Sequence, residues 1–377
     1  MSIQMNRETD GLNARTVEVL SGRLGQSYSN WFTAFEPLAL LRGGHAQTLA
    51  GNYWRRSLFL LPFESQAVEV DPADGSRVLC HCHWQPEVVR ADRLTILLVH
   101  GLEGSSDSRY IKGITKRAWE AGCNVIRMNM RNCGGTESWT PTLYHSGLSA
   151  DVYAVLHFFV SLYGLQRVAI AGYSMGGNLV LKLAGELADR PPAWLLAAVG
   201  VSPAADLAAS ADALHEPANR MYEWHFLRNL MRRFRHKVEL FPAVYSATGV
   251  GSVRSVRQFD DRITARYSGF TGADDYYFRA SAARVVDRIS IPTLVLNALD
   301  DPFIRMMPQT RKALTVNTAT TLVETAHGGH CAFLAKKAAP AEAIAEVPVA
   351  AFEDSRHWAE ETLVRFLLAH AGHPRGG

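Results

Sequence analysis

An apolar, strand-like run at 168–171 leads directly into Gly172-Tyr173-Ser174-Met175-Gly176, and a helix-like run follows at 177–183. Strand, G-x-S-x-G and helix in this order are typical of a nucleophile elbow, which raises a serine hydroxyl above the edge of a parallel sheet. The flanking glycines suit the close approach of strand and helix at such a turn. The pattern therefore predicts Ser174 as a nucleophile and the backbone N–H of Met175 as an oxyanion donor.

A serine nucleophile needs a histidine to accept its proton and a carboxylate to orient that histidine. With a nucleophile elbow the acid and then the histidine follow the serine along the chain. A β-rich run at 291–297 ends in Ala298-Leu299-Asp300-Asp301-Pro302, and a second run at 321–324 is followed by Ala326-His327-Gly328-Gly329-His330. Both polar segments follow strands, so we expect them at the same sheet edge as the elbow.

Each partner has a competitor nearby in the sequence. We favour Asp301 over Asp300 because many proteins with such an elbow carry the acid three residues past a small residue and directly before a proline, and Asp301 has this offset from Ala298. Asp300 is the alternative acid, or it caps the next turn. We favour His330 over His327 because His330 directly follows two glycines, whose backbone freedom lets the imidazole swing over the serine.

A second oxyanion donor is expected in the loop after an early central strand. The apolar run 94–99 is such a strand, and His100-Gly101-Leu102-Glu103-Gly104 follows it. Gly101 permits a turn that presents the Leu102 N–H toward the elbow, so Leu102 is the expected second donor. His100 is expected to brace this loop and to take no part in catalysis.

Several further motifs accompany these residues: Leu41-Arg42-Gly43-Gly44-His45-Ala46-Gln47-Thr48, Arg131-Asn132-Cys133-Gly134-Gly135-Thr136 and Tyr144-His145-Ser146-Gly147. Together they resemble an α/β-hydrolase group that includes bacterial YheT-like proteins, plant EMB8-like proteins, yeast medium-chain ester synthase/esterases and animal ABHD-type lipid hydrolases. The resemblance covers nearly all of the chain from about residue 35 onward. It implies a serine carboxylester hydrolase and carries over Ser174, one acid of the 300–301 pair, and His330. It leaves the substrate open, because members differ between short acyl esters and phospholipids.

Composition and charge limit the other classes. The chain has 377 residues, 47% hydrophobic and 20% charged, a length that fits two ordinary domains and equally one hydrolase domain with a cap. A net charge of +3 is too small to indicate nucleic acid as a partner. Five cysteines without framework spacing favour a reducing compartment, so we expect a cytoplasmic location. The first ten residues lack the apolar stretch of a secretory signal, and no apolar run is long enough to span a bilayer.

The order of strand-like and helix-like runs predicts the architecture. A hairpin is expected around Asp74-Gly75, and strands then alternate with helices. This order predicts an α/β-hydrolase fold with a mostly parallel, doubly wound sheet. The alternation stops between 203 and 291, where we expect an inserted helical cap. The expected organisation is an irregular N-terminal arm at 1–34, hydrolase core at 35–203, cap at 204–288 and the rest of the core at 289–377.

Within the cap, apolar residues recur at helical spacing beside a cluster of basic residues. The apolar residues are Met221, Trp224, Leu227, Leu230, Met231, Phe234 and Val238, and the basic ones are Arg220, Arg228, Arg232, Arg233, Arg235 and Lys237. We favour a lid helix whose apolar side, including Trp224 and Leu227, contacts the acyl chain of the substrate. A basic amphipathic helix can in addition make transient contact with an anionic membrane surface.

The remaining motifs predict no cofactor. In Cys80-His81-Cys82-His83, strand alternation places the cysteines on one face and the histidines on the other, and no second cluster completes a zinc site. No phosphate-binding glycine loop is present. The expected reaction is hydrolysis of short- to medium-chain acyl esters through an acyl-enzyme. Two alternatives stay open: an acyltransferase or phospholipase on the same triad, and a non-catalytic lipid-binding protein of the same fold.

Overall fold

A computed structural model describes residues 17–21, 33–53, 61–336 and 356–371. Within these ranges, one sheet has the strand order β1-β9-β8-β7-β6-β4-β5-β3-β2. The strands are β1 (Val17–Ser21), β2 (Glu64–Asp71), β3 (Ser76–His83), β4 (Thr95–Val99), β5 (Asn124–Met128), β6 (Val168–Tyr173), β7 (Leu195–Val201), β8 (Thr293–Ala298) and β9 (Thr320–Thr325). The five central pairs, from β5 across to β9, are parallel, and the outer pairs β1–β9, β3–β5 and β2–β3 are antiparallel. The predicted fold class is confirmed.

Helices cover both faces of the sheet. They are α1 (Gly44–Tyr53), α2 (Glu87–Arg90), α3 (Arg109–Glu120), α4 (Ser149–Tyr163), α5 (Met175–Leu187), α6 (Leu207–Leu214), α7 (Arg220–Leu240), α8 (Val256–Phe259), α9 (Ala273–Ala280), α10 (Pro308–Val316) and α11 (Trp358–Ala371). Apolar residues of α4 and α5 form one core with the sheet, and those of α3 and α11 form a second core. Strands β4, β5, β6 and β8 are buried at every position, which explains why they read as continuous apolar runs.

The hairpin β2–β3 closes through the expected Asp-Gly turn, where Gly75 adopts a left-handed φ of 67°. Strand β3 alternates as predicted: Cys80 and Cys82 are buried in the core, and the ring of His81 lies 4.5 Å from that of Phe63 on the other side. Burial raises the pKa of both thiols. Across the described residues, no group of three or more histidine, cysteine or acidic side chains is arranged to hold a metal ion.

The segment between β7 and β8 forms a helical layer with its own apolar core. Helices α6 to α9 and a π-helical turn, Asp260–Ala265, lie in the predicted cap segment 204–288. Their apolar cluster also includes Leu143 and Phe303 from loops of the hydrolase core. These loops follow β5 and β8, so the cap packs over the edge of the sheet to which the elbow also belongs.

The expectation of an irregular arm at 1–34 is wrong for Val17–Ser21. These residues form β1, which pairs antiparallel with β9 from Val17 opposite Thr325 to Ser21 opposite Thr321. The short alternating stretch lies among polar residues, and its partner strand is about 300 residues away in the sequence. Residues 1–16 and 22–32 of the predicted arm lie outside the described residues, as do residues 351–355 of the C-terminal helix predicted from about 351.

Candidate active site

Ser174 lies at the junction of β6 and α5 in a strained conformation. Its φ of 54° and ψ of −118° are rarely adopted by a residue other than glycine. A Cβ atom at Gly172 would lie 2.1 Å from the Gly176 carbonyl oxygen, and one at Gly176 would lie 2.3 Å from the Val99 carbonyl oxygen. The two glycines of G-x-S-x-G are thus required by the close contact of β6, α5 and β4, which holds the serine in its strained turn.

We expect Gly172→Ala to destabilise the protein by about 2–4 kcal/mol, because its methyl group overlaps backbone atoms that cannot move independently. Gly251→Ala is the matched control, since the φ of Gly251 is outside the left-handed region and no atom beyond its chain neighbours lies within 4 Å of its Cβ position. Urea unfolding of both variants measures the difference. Equal stability of the two alanine variants would contradict this account of the elbow.

His330 lies between Ser174 and Asp301. Its Nε2 is 3.0 Å from Ser174 Oγ, and its Nδ1 is 2.9 Å from Asp301 Oδ2. Asp301 is buried, and its Oδ1 accepts the N–H groups of Phe303 at 3.1 Å and Ile304 at 2.9 Å. This network assigns the proton of the imidazole to Nδ1, which leaves Nε2 free to accept the serine proton.

The competing acid and histidine form a separate pair. Asp300 Oδ1 accepts the N–H of Gly329 at 2.8 Å, and Asp300 Oδ2 lies 3.4 Å from Nδ1 of His327. Burial raises the pKa of Asp300. Asp300 therefore holds the glycine turn that precedes His330, while Asp301 contacts the imidazole of His330 itself.

Helix α1 supports the histidine loop, a role that pattern reasoning missed. The hydroxyl oxygen of Thr48 accepts the N–H of His330 at 2.8 Å. Gly329 has a left-handed φ of 57°, and a Cβ there would lie 2.4 Å from the Gly44 carbonyl oxygen. The motif at 41–48 was noticed in the sequence, but no local signal connects it with a loop about 280 residues later.

Burial and charge act in opposite directions on the pKa of His330. Burial lowers it, whereas a Cys331 thiolate and the Asp301 carboxylate raise it, and the net direction is upward. The Asp301 carboxylate acts through its 2.9 Å hydrogen bond with His330 Nδ1, which favours the protonated imidazole. Cys331 Sγ is 3.5 Å from His330 Nε2, and the Phe303 ring is centred 4.3 Å from the imidazole.

The predicted oxyanion residues lie beside Ser174. A Cβ at Gly101 would be 3.1 Å from Ser174 Cβ, so the loop after β4 packs directly on the predicted nucleophile. The Gly101 N–H donates to Tyr110 Oη at 2.8 Å, which leaves Leu102 as the next amide along the loop. Met175 is the first residue of α5, where a helix leaves its N–H groups without intrahelical partners. Leu102, Met175 and Ser174 line one cavity.

His100 braces this loop. Its Nδ1 is 2.8 Å from the Gly101 carbonyl oxygen, and its Nε2 accepts the Met130 N–H at 3.1 Å. Burial lowers the pKa of His100 to about 4, so the imidazole is neutral and can donate at Nδ1 while accepting at Nε2. The residue connects the loop after β4 with the end of β5.

A family model described as the alpha/beta hydrolase fold matches residues 95–337. The chain is an α/β-hydrolase. YheT of Escherichia coli (strain K12) is 33% identical over 306 residues, which cover 80% of this chain and 87% of that protein. Mouse phospholipase ABHD3 is 34% identical over 246 residues, 64% of this chain, and the match spans only 59% of that protein. The predicted YheT/ABHD-type family is confirmed.

An esterase from Pyrococcus furiosus has the same fold as this hydrolase. The two structures superpose with a TM-score of 0.51, and the match covers 83% of this chain and 94% of the esterase. Their sequences are 13% identical, so the likeness concerns the fold alone.

The cavity of this hydrolase extends from Ser174 under the cap and holds about 980 Å³ of unfilled space, including its opening to solvent. Its lining is mainly apolar, and on α7 it comprises Phe226, Leu230, Arg233 and Phe234. The predicted contact residues Trp224 and Leu227 are not among the lining residues. Trp224 is 60% exposed, with Arg228 5.4 Å above its ring, and Leu227 packs against the apolar core of the cap.

The difference between the predicted and the observed lining of the cavity has a physical reason. The buried face of α7 includes the charged residues Glu223 and Lys237 together with Leu230 and Phe234. Glu223 accepts the Val256 N–H at 3.0 Å, so its burial depends on a partner outside the helix. An apolar stripe counted from the sequence omits such positions and therefore points toward Met221 and Trp224, which are exposed.

The basic residues of α7 also fall into two groups. Arg228, Arg232 and Arg235 are exposed, whereas Lys237 is buried and Arg233 is partly buried. The basic residues that form one cluster in the sequence therefore point in two directions. The exposed arginines face solvent, and Arg233 and Lys237 face the hydrolase core.

Proposed function

We propose that this α/β-hydrolase is a serine carboxylester hydrolase that acts on short- to medium-chain acyl esters through an acyl-enzyme. The observation that carries the proposal is the continuous hydrogen-bonded chain from Ser174 Oγ through His330 to Asp301. The enzyme class, a carboxylic ester hydrolase, is that of its phospholipase relative ABHD3. Labelling of Ser174 by a fluorophosphonate tests the nucleophile directly, and unlabelled protein would favour the non-catalytic lipid-binding alternative.

The reaction begins when Ser174 Oγ attacks the ester carbonyl carbon and its proton passes to His330 Nε2. Asp301 holds the Nδ1–H and stabilises the imidazolium that forms. The N–H groups of Leu102 and Met175 hold the oxyanion. When the intermediate collapses, the C–O bond to the leaving group breaks, and the His330 imidazolium passes its Nε2 proton to the departing alkoxide oxygen, which leaves as the alcohol. Water then attacks the acyl-enzyme by the same steps and releases the acid.

The apolar cavity is the basis for an acyl ester as the substrate. Each buried methylene contributes about 0.8 kcal/mol, so an apolar wall near Ser174 favours an acyl chain over a bare acetyl group. We expect Phe226→Ala to lower kcat/KM for p-nitrophenyl octanoate about tenfold and to leave the acetate ester nearly unchanged, because only the longer chain reaches this wall.

Trp224→Ala is the matched control for Phe226→Ala. Both residues are aromatic and lie on α7, but the Trp224 side chain faces solvent. A panel of p-nitrophenyl esters of increasing chain length measures the difference. Equal losses on acetate and octanoate in Phe226→Ala would place this ring in the structural core and remove it from the substrate path.

The final acceptor distinguishes a hydrolase from an acyltransferase, because both use the same acyl-enzyme. Comparing acid release with ethyl ester or acylated lysolipid formation separates the two activities. Water is the expected main acceptor. Ester or acylated lysolipid as the dominant product would favour the acyltransferase alternative. A phospholipid processed faster than the best p-nitrophenyl ester would favour the phospholipase alternative.

We also propose that the protein makes transient contact with an anionic membrane surface, and the exposed side of α7 supports this contact. It combines apolar and basic side chains: Met221, Trp224, Arg228, Arg232 and Arg235. No helix in the described ranges is long and apolar enough to cross a bilayer. We expect salt-sensitive binding to vesicles that contain phosphatidylserine, weakened by Arg232→Gln with Arg235→Gln because each basic residue contributes about 1 kcal/mol. Binding that ignores both salt and these arginines would contradict the contact.

We also propose a cytoplasmic location. The five thiols are unpaired, and four of them are buried. A reducing compartment keeps such thiols free. Cell fractionation of the tagged protein tests the location.

A further inference from the structure

Two cations of the cap helix α7 reach into the loops of the hydrolase core. Arg233 and Lys237 are one helical turn apart, and Lys237 is fully buried. Their partners are Glu103, in the loop after β4, and Asn132 and Glu137, in the loop after β5. We call these five residues the cap latch.

Arg233 connects both loops at once. Its Nε is 3.1 Å from Glu103 Oε1, its Nη1 is 2.9 Å from Glu137 Oε1, and Nη1 also donates to the Asn132 carbonyl oxygen. The Glu103 side chain is only 7% exposed, and its Oε1 accepts the Tyr144 hydroxyl at 2.5 Å. A charged carboxylate in such a position needs its cation, because an unpaired buried charge is strongly unfavourable.

Lys237 holds the loop after β5. Its ammonium group donates to Asn132 Oδ1 at 2.9 Å, to the Glu137 carbonyl oxygen at 3.0 Å and to the Thr140 carbonyl oxygen. The three donors of the ammonium are therefore all used, and each acceptor belongs to the core. This contact seats α7 on the core independently of Arg233.

Both loops held by the latch contain a residue with a left-handed backbone at the point of contact. Glu103 has a φ of 56°, in the region that most side chains disfavour, and Asn132 has a φ of 63°, which asparagine tolerates better. Such conformations persist only where surrounding contacts hold them. Tyr144 and Thr142 of the core supply part of these contacts, and Arg233 and Lys237 of the cap supply the charged part, so seating of the cap and loop geometry are coupled.

The strained Glu103 directly follows Leu102, the proposed oxyanion donor. Rotation about the N–Cα bond of Glu103 would turn the Leu102–Glu103 peptide group. Through the backbone of Leu102, this rotation would also displace the Leu102 N–H from its direction toward Ser174. We propose that Glu103 and Arg233 are positioning residues, which keep the oxyanion loop in its working geometry as long as the cap is seated. This inference rests on the proposed function.

The test compares Arg233→Met with Arg232→Met, its exposed neighbour. For p-nitrophenyl acetate we expect Arg233→Met to lower kcat about 10–100-fold while KM stays within about twofold, since a displaced oxyanion donor weakens only the transition state. The affinity for a reversible trifluoromethyl ketone, which mimics the tetrahedral intermediate, should fall in parallel with kcat/KM. Arg232→Met should behave like the unchanged protein in both assays.

Glu103→Gln provides a second variant in case Arg233→Met does not fold. The amide keeps an acceptor for Tyr144 and removes the charge, so a smaller kcat loss is expected. The double variant should lose less than the product of the two single losses, because both changes break the same interaction.

Unchanged kcat and ketone affinity in Arg233→Met, even with a lowered Tm, would overturn the proposal and leave a contact that only fastens the cap. Ester turnover by Ser174→Ala would instead overturn the proposed function itself, so the two failures are distinguishable.

Discussion

Ser174→Ala should lower ester turnover by a factor of about 10⁴–10⁶ and leave the fold intact. The change removes one oxygen atom, whose hydrogen-bonded neighbour is His330 Nε2 at 3.0 Å. No apolar packing is lost, and alanine is not larger than serine, so the elbow should keep its strained backbone. His330→Ala should be almost as damaging, because a triad acts as a unit and its losses are not additive.

The measurement is turnover of p-nitrophenyl butyrate together with a melting curve and fluorophosphonate labelling. Ser174→Ala should keep the Tm of the unchanged protein within a few degrees and lose the label, whereas His330→Ala should lower the Tm because the buried Asp301 carboxylate loses its partner. A host strain that lacks endogenous esterases, and a mock purification, exclude contaminating activity. Substantial hydrolysis by Ser174→Ala under these conditions would rule out the serine mechanism.

Asp301→Asn should lower kcat about 10⁴-fold, because an amide in place of the carboxylate can stabilise the wrong tautomer of His330 and no longer stabilises the imidazolium. The contact concerned is the 2.9 Å hydrogen bond between Asp301 Oδ2 and His330 Nδ1. The introduced amide is isosteric with the carboxylate, so the backbone N–H groups of Phe303 and Ile304 keep an acceptor if the amide oxygen faces them. Stability should therefore change less than activity.

Asp300→Asn is the matched control, since the same substitution is made one residue earlier. Its carboxylate accepts the Gly329 N–H at 2.8 Å and lies beside His327, away from the imidazole of His330. We expect a lowered Tm and a modest change in kcat. The reverse outcome, an inactive Asp300→Asn with an active Asp301→Asn, would assign the acid of the triad to Asp300.

Sequence reasoning located the elbow because its requirements are local. The strained serine, the two close-packed glycines and the flanking strand and helix are consecutive in the chain, so their chemistry is visible in one short pattern. The acid and histidine segments were also recognisable, because parallel strands place their carboxyl ends at one edge of the sheet and each segment directly follows a strand. The central strands and the order of the helices were predictable because each depends on the periodicity of apolar residues along a short stretch of chain.

The choice between neighbouring side chains required the folded chain. Asp300 and Asp301 are adjacent and chemically identical, and only their partners at 327–330 distinguish them. Strand β1 owes its existence to the free edge of β9, which no local pattern reveals. The supporting contact of Thr48 with His330 likewise connects residues that are remote in the sequence.

The sequence by itself determined the fold class, the elbow and the strand ends that carry the candidate triad, because each depends on backbone periodicity and on residues that are neighbours in the chain. Only the tertiary structure decided which face of α7 meets the cavity beside Ser174 and that Arg233 pairs with Glu103. Hydrophobic spacing shows that a helix has a buried side, but charged residues can belong to that side when distant partners compensate their charge. Arg233 and Glu103 are separated by 130 residues, so their pairing arises from packing of the cap on the core and cannot be read from either segment alone.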